Sequence, residues 1–155
     1  MGRGDDLSQV YDRNEAVDPG LLAELSLPKE VFTDSVAFIK QVRKGIPGQV
    51  LVEAIGAFDG DREMFVRLLE TTPGNLHRFY KREALSRSQS EGILDALRVL
   101  NYAILVFGDS KVAHEWLRCQ VPALSGAKPV DLLDTFCGRD WIRDVLGKIE
   151  YGEFS

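Results

Sequence analysis

Between Gly74 and Ser90 the chain sets four cations, Arg78, Lys81, Arg82 and Arg87, against a single acid, Glu83. That is a local charge of +3 in a chain of net −5, so the remaining residues together carry −8. Guanidinium groups pair bidentately with guanine edges, and a carboxamide pairs with adenine. Asn75, His77, Arg78, Lys81 and Arg82 therefore offer DNA-contacting chemistry, with Arg82 and Arg87 suited to phosphates. Concentrated positive charge on an acidic body is the footprint of a polyanion site. The plainer alternative is a solvated helix face.

The other reactive side chains combine poorly. Asp109 and His114 have the types of an acid–base pair, but no nucleophile is spaced to join them. Cys119 and Cys137 make no CxxC pair and there are two histidines, too few for a metal ligand set. No enzyme, no cofactor and no metal is expected. The longest apolar run, Ala103 to Phe107, is far too short to span a bilayer. The opening MGRGDDLSQVYDRNEAVDPG lacks the apolar core of a secretory signal, so a cytoplasmic protein is expected.

The elements that must position these groups read as helices throughout. Residues 1–17 are polar and without periodicity, which predicts a flexible arm. Asp18-Pro19 reads as an N-cap and first helical residue. Val31, Ser35, Ile39 and Val42 share a helical face that Gly45 ends. An apolar helix over Val50–Phe58 is broken and recapped by Asp59-Gly60-Asp61. Met64, Phe65, Leu68 and Leu69 stripe the next helix. Thr72-Pro73 then predicts a second short helix with Leu76 and Tyr80 inward, and the pair forms a helix-turn-helix. Ser88-Gln-Ser-Glu91 reads as a capping box opening a long helix to Phe107. Its second half is apolar on nearly every side, as a central spine between two lobes must be. After Gly108, Asp109 caps a helix with Val112, Ala113, Trp116 and Leu117 on one face. Pro129 opens a short helix with Leu132, Leu133 and Phe136 inward, closed by Gly138. Ile142, Val145, Leu146 and Ile149 stripe the last one. No segment alternates as a strand, so the class is all-α. The expected division is an arm over 1–17, a helix-turn-helix lobe over 18–87, and a spine with a helical C-terminal lobe over 88–155.

The second half carries a specific combination: FGDSKVAHEWL, ALSGAKPVDLLDT and GRDWIRDVLGKIEYG. Phe107-Gly108-Asp109, Ala113, Trp116, Leu117, Leu124, Gly126, Pro129, Leu132, Leu133, Thr135, Gly138, Val145, Leu146, Ile149 and Gly152 resemble the Xre/MbcA/ParS antitoxin family and its toxin-binding C-terminal domain. The resemblance spans roughly residues 48–152. It implies a bacterial type II antitoxin with an Xre-like helix-turn-helix in its N-terminal half. The partner it implies is a RES-domain toxin, of a family that resembles ADP-ribosyltransferases and depletes NAD. The antitoxin would cover that toxin's active-site cleft and repress its own operon by binding operator DNA. Such antitoxins are usually dimeric. Where the family's recognition helix commonly reads Thr-Leu-x-Arg-Arg, this chain has Asn75-Leu76-His77-Arg78-Phe79.

Under that resemblance the toxin-contacting candidates are Arg118, Ser125, Lys128, Arg139, Arg143 and Lys148, with Glu150, Tyr151, Glu153 and Phe154 at the chain end. The two aromatics would act as anchors and the carboxylates as an anionic tip. The rival reading is a helix-turn-helix repressor whose C-terminal lobe serves dimerisation or ligand sensing.

Overall fold

The computed structural model describes residues 16–152. Among them it holds eight α-helices, three 3-10 turns and no strand, so the all-α expectation holds. In chain order the helices are α1 (Pro19–Ala23), α2 (Glu30–Thr33), α3 (Ser35–Lys44), α4 (Gly48–Ala57), α5 (Arg62–Leu68), α6 (Arg87–Phe107), α7 (Ser110–Leu117) and α8 (Phe136–Glu150).

The start signals act as chemistry dictates, because each satisfies an orphan amide. Asp18 accepts from the amide of Leu21, Asp61 from Met64 and Asp109 from Lys111. The spine α6 is capped two residues earlier than the sequence suggested. Ser86, not Ser88, takes the N-cap, and the Gln89 side chain reaches back to the Ser86 amide at 3.0 Å. Gly108 ends it with φ 71°, a left-handed turn that glycine makes without steric cost.

At 1.5 Å per residue the 21 residues of α6 span about 32 Å. The helix touches α3, α4, α5, α7 and α8, and from Gly92 to Ile104 only Arg98 and Tyr102 are not fully buried. Burial is therefore centred further toward the N-terminus than the apolar run VLNYAILVF implied. Leu105, Val106 and Phe107 are half-buried, and the Phe107 ring leans on Trp116 at 5.5 Å.

Four expected details fall differently. Asp34 ends α2 and caps α3, so Val31 and Val42 do not share one helix; Phe38 and Val42 face inward while Ile39 is exposed. Val112 is exposed on α7, and Ala113 and Leu117 form its buried face. Pro129 opens only a 3-10 turn, Pro129–Leu132. Thr135 then caps α8 by accepting from the Gly138 amide, so Gly138 lies in the first turn of α8 rather than ending a helix, and Phe136 points outward at 69% exposure.

Asp95, near the middle of α6, is the joint between spine and C-terminal lobe. It is buried, and a buried carboxylate is tolerated only where it is paired. Arg139 of α8 donates Nε to Asp95 Oδ2 at 2.7 Å and Nη1 to the Leu133 carbonyl at 2.8 Å. Arg143, one turn on, donates to both Asp95 oxygens. Burial pushes the Asp95 carboxyl up, but the hydrogen bonds and charges of Arg143 and then Arg139 together prevail and hold it below its ordinary value.

A folded-state pKa held low stabilises the fold above the ordinary carboxylate value of about 4, and that contribution is lost as pH falls through the lowered value. Asp95→Asn keeps the shape but strands two arginines. It is expected to cost about 3–5 kcal/mol, the range for one-sided removal of a buried ion pair. Urea unfolding at neutral pH checks this through a lower midpoint at unchanged slope. The gap between variant and wild type should narrow as pH is lowered through the acid limb.

Candidate partner-binding surfaces

The basic stretch is not a recognition helix. After Thr72 the chain makes a turn and then a four-residue 3-10 element, Leu76–Phe79. Its buried pair is Leu76 and Phe79 at i, i+3, the spacing of a 3-10 turn, in place of the expected Leu76 and Tyr80. The cause is a clasp from the α3–α4 turn. Gly48 donates its amide to the Arg82 carbonyl at 2.9 Å, and Leu85 donates to the Ile46 carbonyl at 2.8 Å. A Cβ at position 48 would collide with the Phe79 and Tyr80 carbonyls, so only glycine permits this approach. Ser90 completes the clasp, its hydroxyl accepting from the Ile46 amide at 3.0 Å.

The side chains themselves stand outward as expected. Asn75, His77, Arg78, Lys81, Arg82 and Arg87 are all exposed. Phe79, which stands where the family has a second arginine, is buried beneath the Arg82 guanidinium at 4.3 Å. Tyr80 is half-buried and its hydroxyl accepts from Arg62 at 3.0 Å. The result is a rigid loop carrying exposed cations, without a helix long enough to lie along a groove.

In the C-terminal lobe the candidates divide. Ser125 and Lys128 are exposed around the turn after the 3-10 element Pro122–Leu124, where Ser125 adopts φ 57°. Lys148 is exposed on α8 and Tyr151 is 53% exposed at its end. Glu150 accepts from the Tyr102 hydroxyl at 3.3 Å, which ties the end of α8 back to the spine. Three arginines expected as contacts are tied into the fold, and of these only Arg118 stays exposed. Arg139 is buried and Arg143 half-buried on Asp95. Arg118 donates to Asp59 at 3.0 Å and to the Phe58 carbonyl at 3.1 Å, pinning α7 to the α4–α5 turn. Glu153 and Phe154 lie outside the described residues.

The sequence reading did not anticipate two further groups. Phe136 and Trp141 are exposed on α8. Arg98 of α6 stacks on Phe38 at 4.4 Å, and burial, then the charge of Arg143, push its guanidinium below its ordinary value against the pull of Asp95. No spacing rule links residues 95 and 98 with 139 and 143. The acid–base pairing of Asp109 with His114 is not formed, since Asp109 caps α7 and His114 Nδ1 lies 3.9 Å from Asp59. Among the described residues no cluster of three or more His, Cys, Asp or Glu is arranged to hold a metal, and no helix is long and apolar enough to cross a membrane.

Residues 103–152 match the family model described as the antitoxin Xre/MbcA/ParS C-terminal toxin-binding domain. That span starts in the second half of α6 and ends two residues past α8, so it covers the C-terminal lobe just described. The Prs ADP-ribosylating antitoxin of Sphingobium sp. (strain YBL2) is 28% identical over 129 residues, covering 74% of this chain and 78% of that protein. The antitoxin Xre of Yersinia enterocolitica serotype O:8 / biotype 1B (strain NCTC 13174 / 8081) is 34% identical over 68 residues, covering 43% of this chain and 46% of that protein. The C-terminal lobe is therefore similar to the toxin-binding domain of the Xre/MbcA/ParS antitoxins.

Proposed function

We propose that this antitoxin neutralises a RES-domain, NAD-depleting toxin by laying its C-terminal lobe over the toxin's active-site cleft. The observation that carries the reading is the coincidence of the toxin-binding family match with a lobe whose core is closed and whose outer face is not. Leu124, Leu133, Ile142, Val145 and Leu146 are buried, while Ser125, Lys128, Lys148 and Tyr151 are exposed. The Glu150 side chain ties the end of α8 to Tyr102 of the spine. A cleft that accepts the phosphates of NAD is positively charged, which suits the acidic terminal segment. The family resemblance supports a homodimer as the unit that binds.

Coexpression with a RES toxin, read as cellular NAD, tests this. Removing residues 151–155 is expected to weaken toxin binding by at least about 2–4 kcal/mol, the range for a central aromatic anchor, and to let NAD fall. If the shortened protein protects NAD fully and binds as tightly as the intact one, the terminal segment is not the plug.

The exposed cations of residues 77–87 favour a second activity, operator binding for autoregulation, with a change from the usual mode. A clasped loop presents charge to phosphates rather than a helix to base edges. Arg78→Ala with Lys81→Ala should lower the slope of log affinity against log salt by about 1.8, or 0.9 per contact. Operator and unrelated DNA should lose affinity alike, and toxin neutralisation should be unchanged. Wild-type DNA affinity in the double variant would return the loop to a solvated surface.

A further inference from the structure

A groove of about 1000 Å³ opens between α1 and α7, away from both surfaces above. Its apolar lining comes from Leu21 of α1, Ala57 at the end of α4, and Leu100 and Ile104 of α6. Both walls are pinned. On one side the Asn101 side chain accepts from the Asp18 amide at 2.8 Å and donates to the Ala16 carbonyl at 3.0 Å, which fixes the start of α1. On the other, the Arg118 bonds to Asp59 and Phe58 fix the end of α7. The walls cannot meet without breaking these bonds, so the groove is preformed. Preformed, largely apolar clefts of this size with a few convergent polar groups are the usual form of a small-molecule site.

The rim selects the charge. Arg118 meets Asp59, and that pair is neutral. Glu24, the residue after α1, and Glu115 of α7 line the groove from opposite walls with no ion pair among the described residues, and Asp18, whose carboxylate caps α1, is a third acid in the lining. Lys111 is the one cation set against them in the lining. Three carboxylates against one ammonium leave the rim at −2. An organic anion is repelled there, and a neutral apolar molecule gains only the lining.

We propose that this groove binds a small organic cation, an ammonium or guanidinium head on an apolar body. The body rests against Leu21 and Ile104, and the head lies between Glu24 and Glu115. Such a ligand links the first helix to α7 and so braces the N-terminal part of the fold against the toxin-binding lobe.

Two native thiols read its occupancy. Cys119 lines the groove and is exposed, while Cys137 is exposed in the first turn of α8 and outside the lining. The intact chain is alkylated with iodoacetamide, a neutral reagent, and each cysteine is followed by mass spectrometry. With 4-phenylbutylamine at twice its dissociation constant, alkylation of Cys119 should slow about threefold while Cys137 is unaffected. 4-Phenylbutyrate, the same body with the opposite charge, should give no protection. The double variant Glu24→Gln, Glu115→Gln changes two exposed residues, and it should lose the protection while keeping its helical circular dichroism. Equal protection by 4-phenylbutanol or 4-phenylbutyrate overturns the proposal, as does protection that survives the double variant. So does an unchanged Cys119 rate up to the amine's solubility limit.

Discussion

A carboxylate in the interior of a buried helix has to be neutralised where it stands, and the C-terminal half of this protein is organised around that demand. Asp95 is largely removed from water, so α8 must arrive with Arg139 and Arg143 at the right height. Once those bonds form, the rotation of α8 about its own axis is set. Ile142, Val145 and Leu146 then face the spine, and Lys148 and Tyr151 face outward. The hydrophobic stripe supplies most of the attraction, but it is non-directional and would accept a neighbouring register. The ion cluster accepts one.

Much of this was legible in the sequence because it is local. A cap needs an acid or hydroxyl two or three residues before the amide it binds, and Asp18, Asp61 and Asp109 show it plainly. The stripes of α5 and α8 obey the helical period, and Gly45 and Gly108 mark true ends. The misreadings have a common cause, which is contact between residues far apart in the chain. Gly48 forces a 3-10 turn upon residues some thirty positions later. Arg139 and Arg143 looked like surface cations because the carboxylate that claims them, Asp95, lies 44 and 48 positions away. Phe136 was counted inward by a periodicity that Thr135 interrupts with a new cap.

The two faces of the molecule also differ in how their charge is held. On the clasped loop, exposed arginines keep their solvation and act over a distance set by salt. Around the spine, Arg98, Arg139 and Arg143 have traded solvation for Asp95, for a carbonyl and for the Phe38 ring. A count of basic residues cannot distinguish the two kinds. Only the first is available to a partner, which narrows the exposed candidates of the C-terminal lobe to the turn around Ser125 and Lys128 and the end of α8 at Lys148 and Tyr151.

Asn101 sets a timetable. Its two bonds join residues 83 and 85 positions apart, from the start of the described chain to the middle of the spine. During synthesis at about 5–20 residues per second, the segment at 16–18 waits roughly 4–17 s before its anchor exists. The clasp between Ile46 and Ser90 spans only 44 positions and can close sooner. The nascent chain therefore secures its middle before its beginning. Throughout that interval the first helix is open to any protease or chaperone that meets the ribosome.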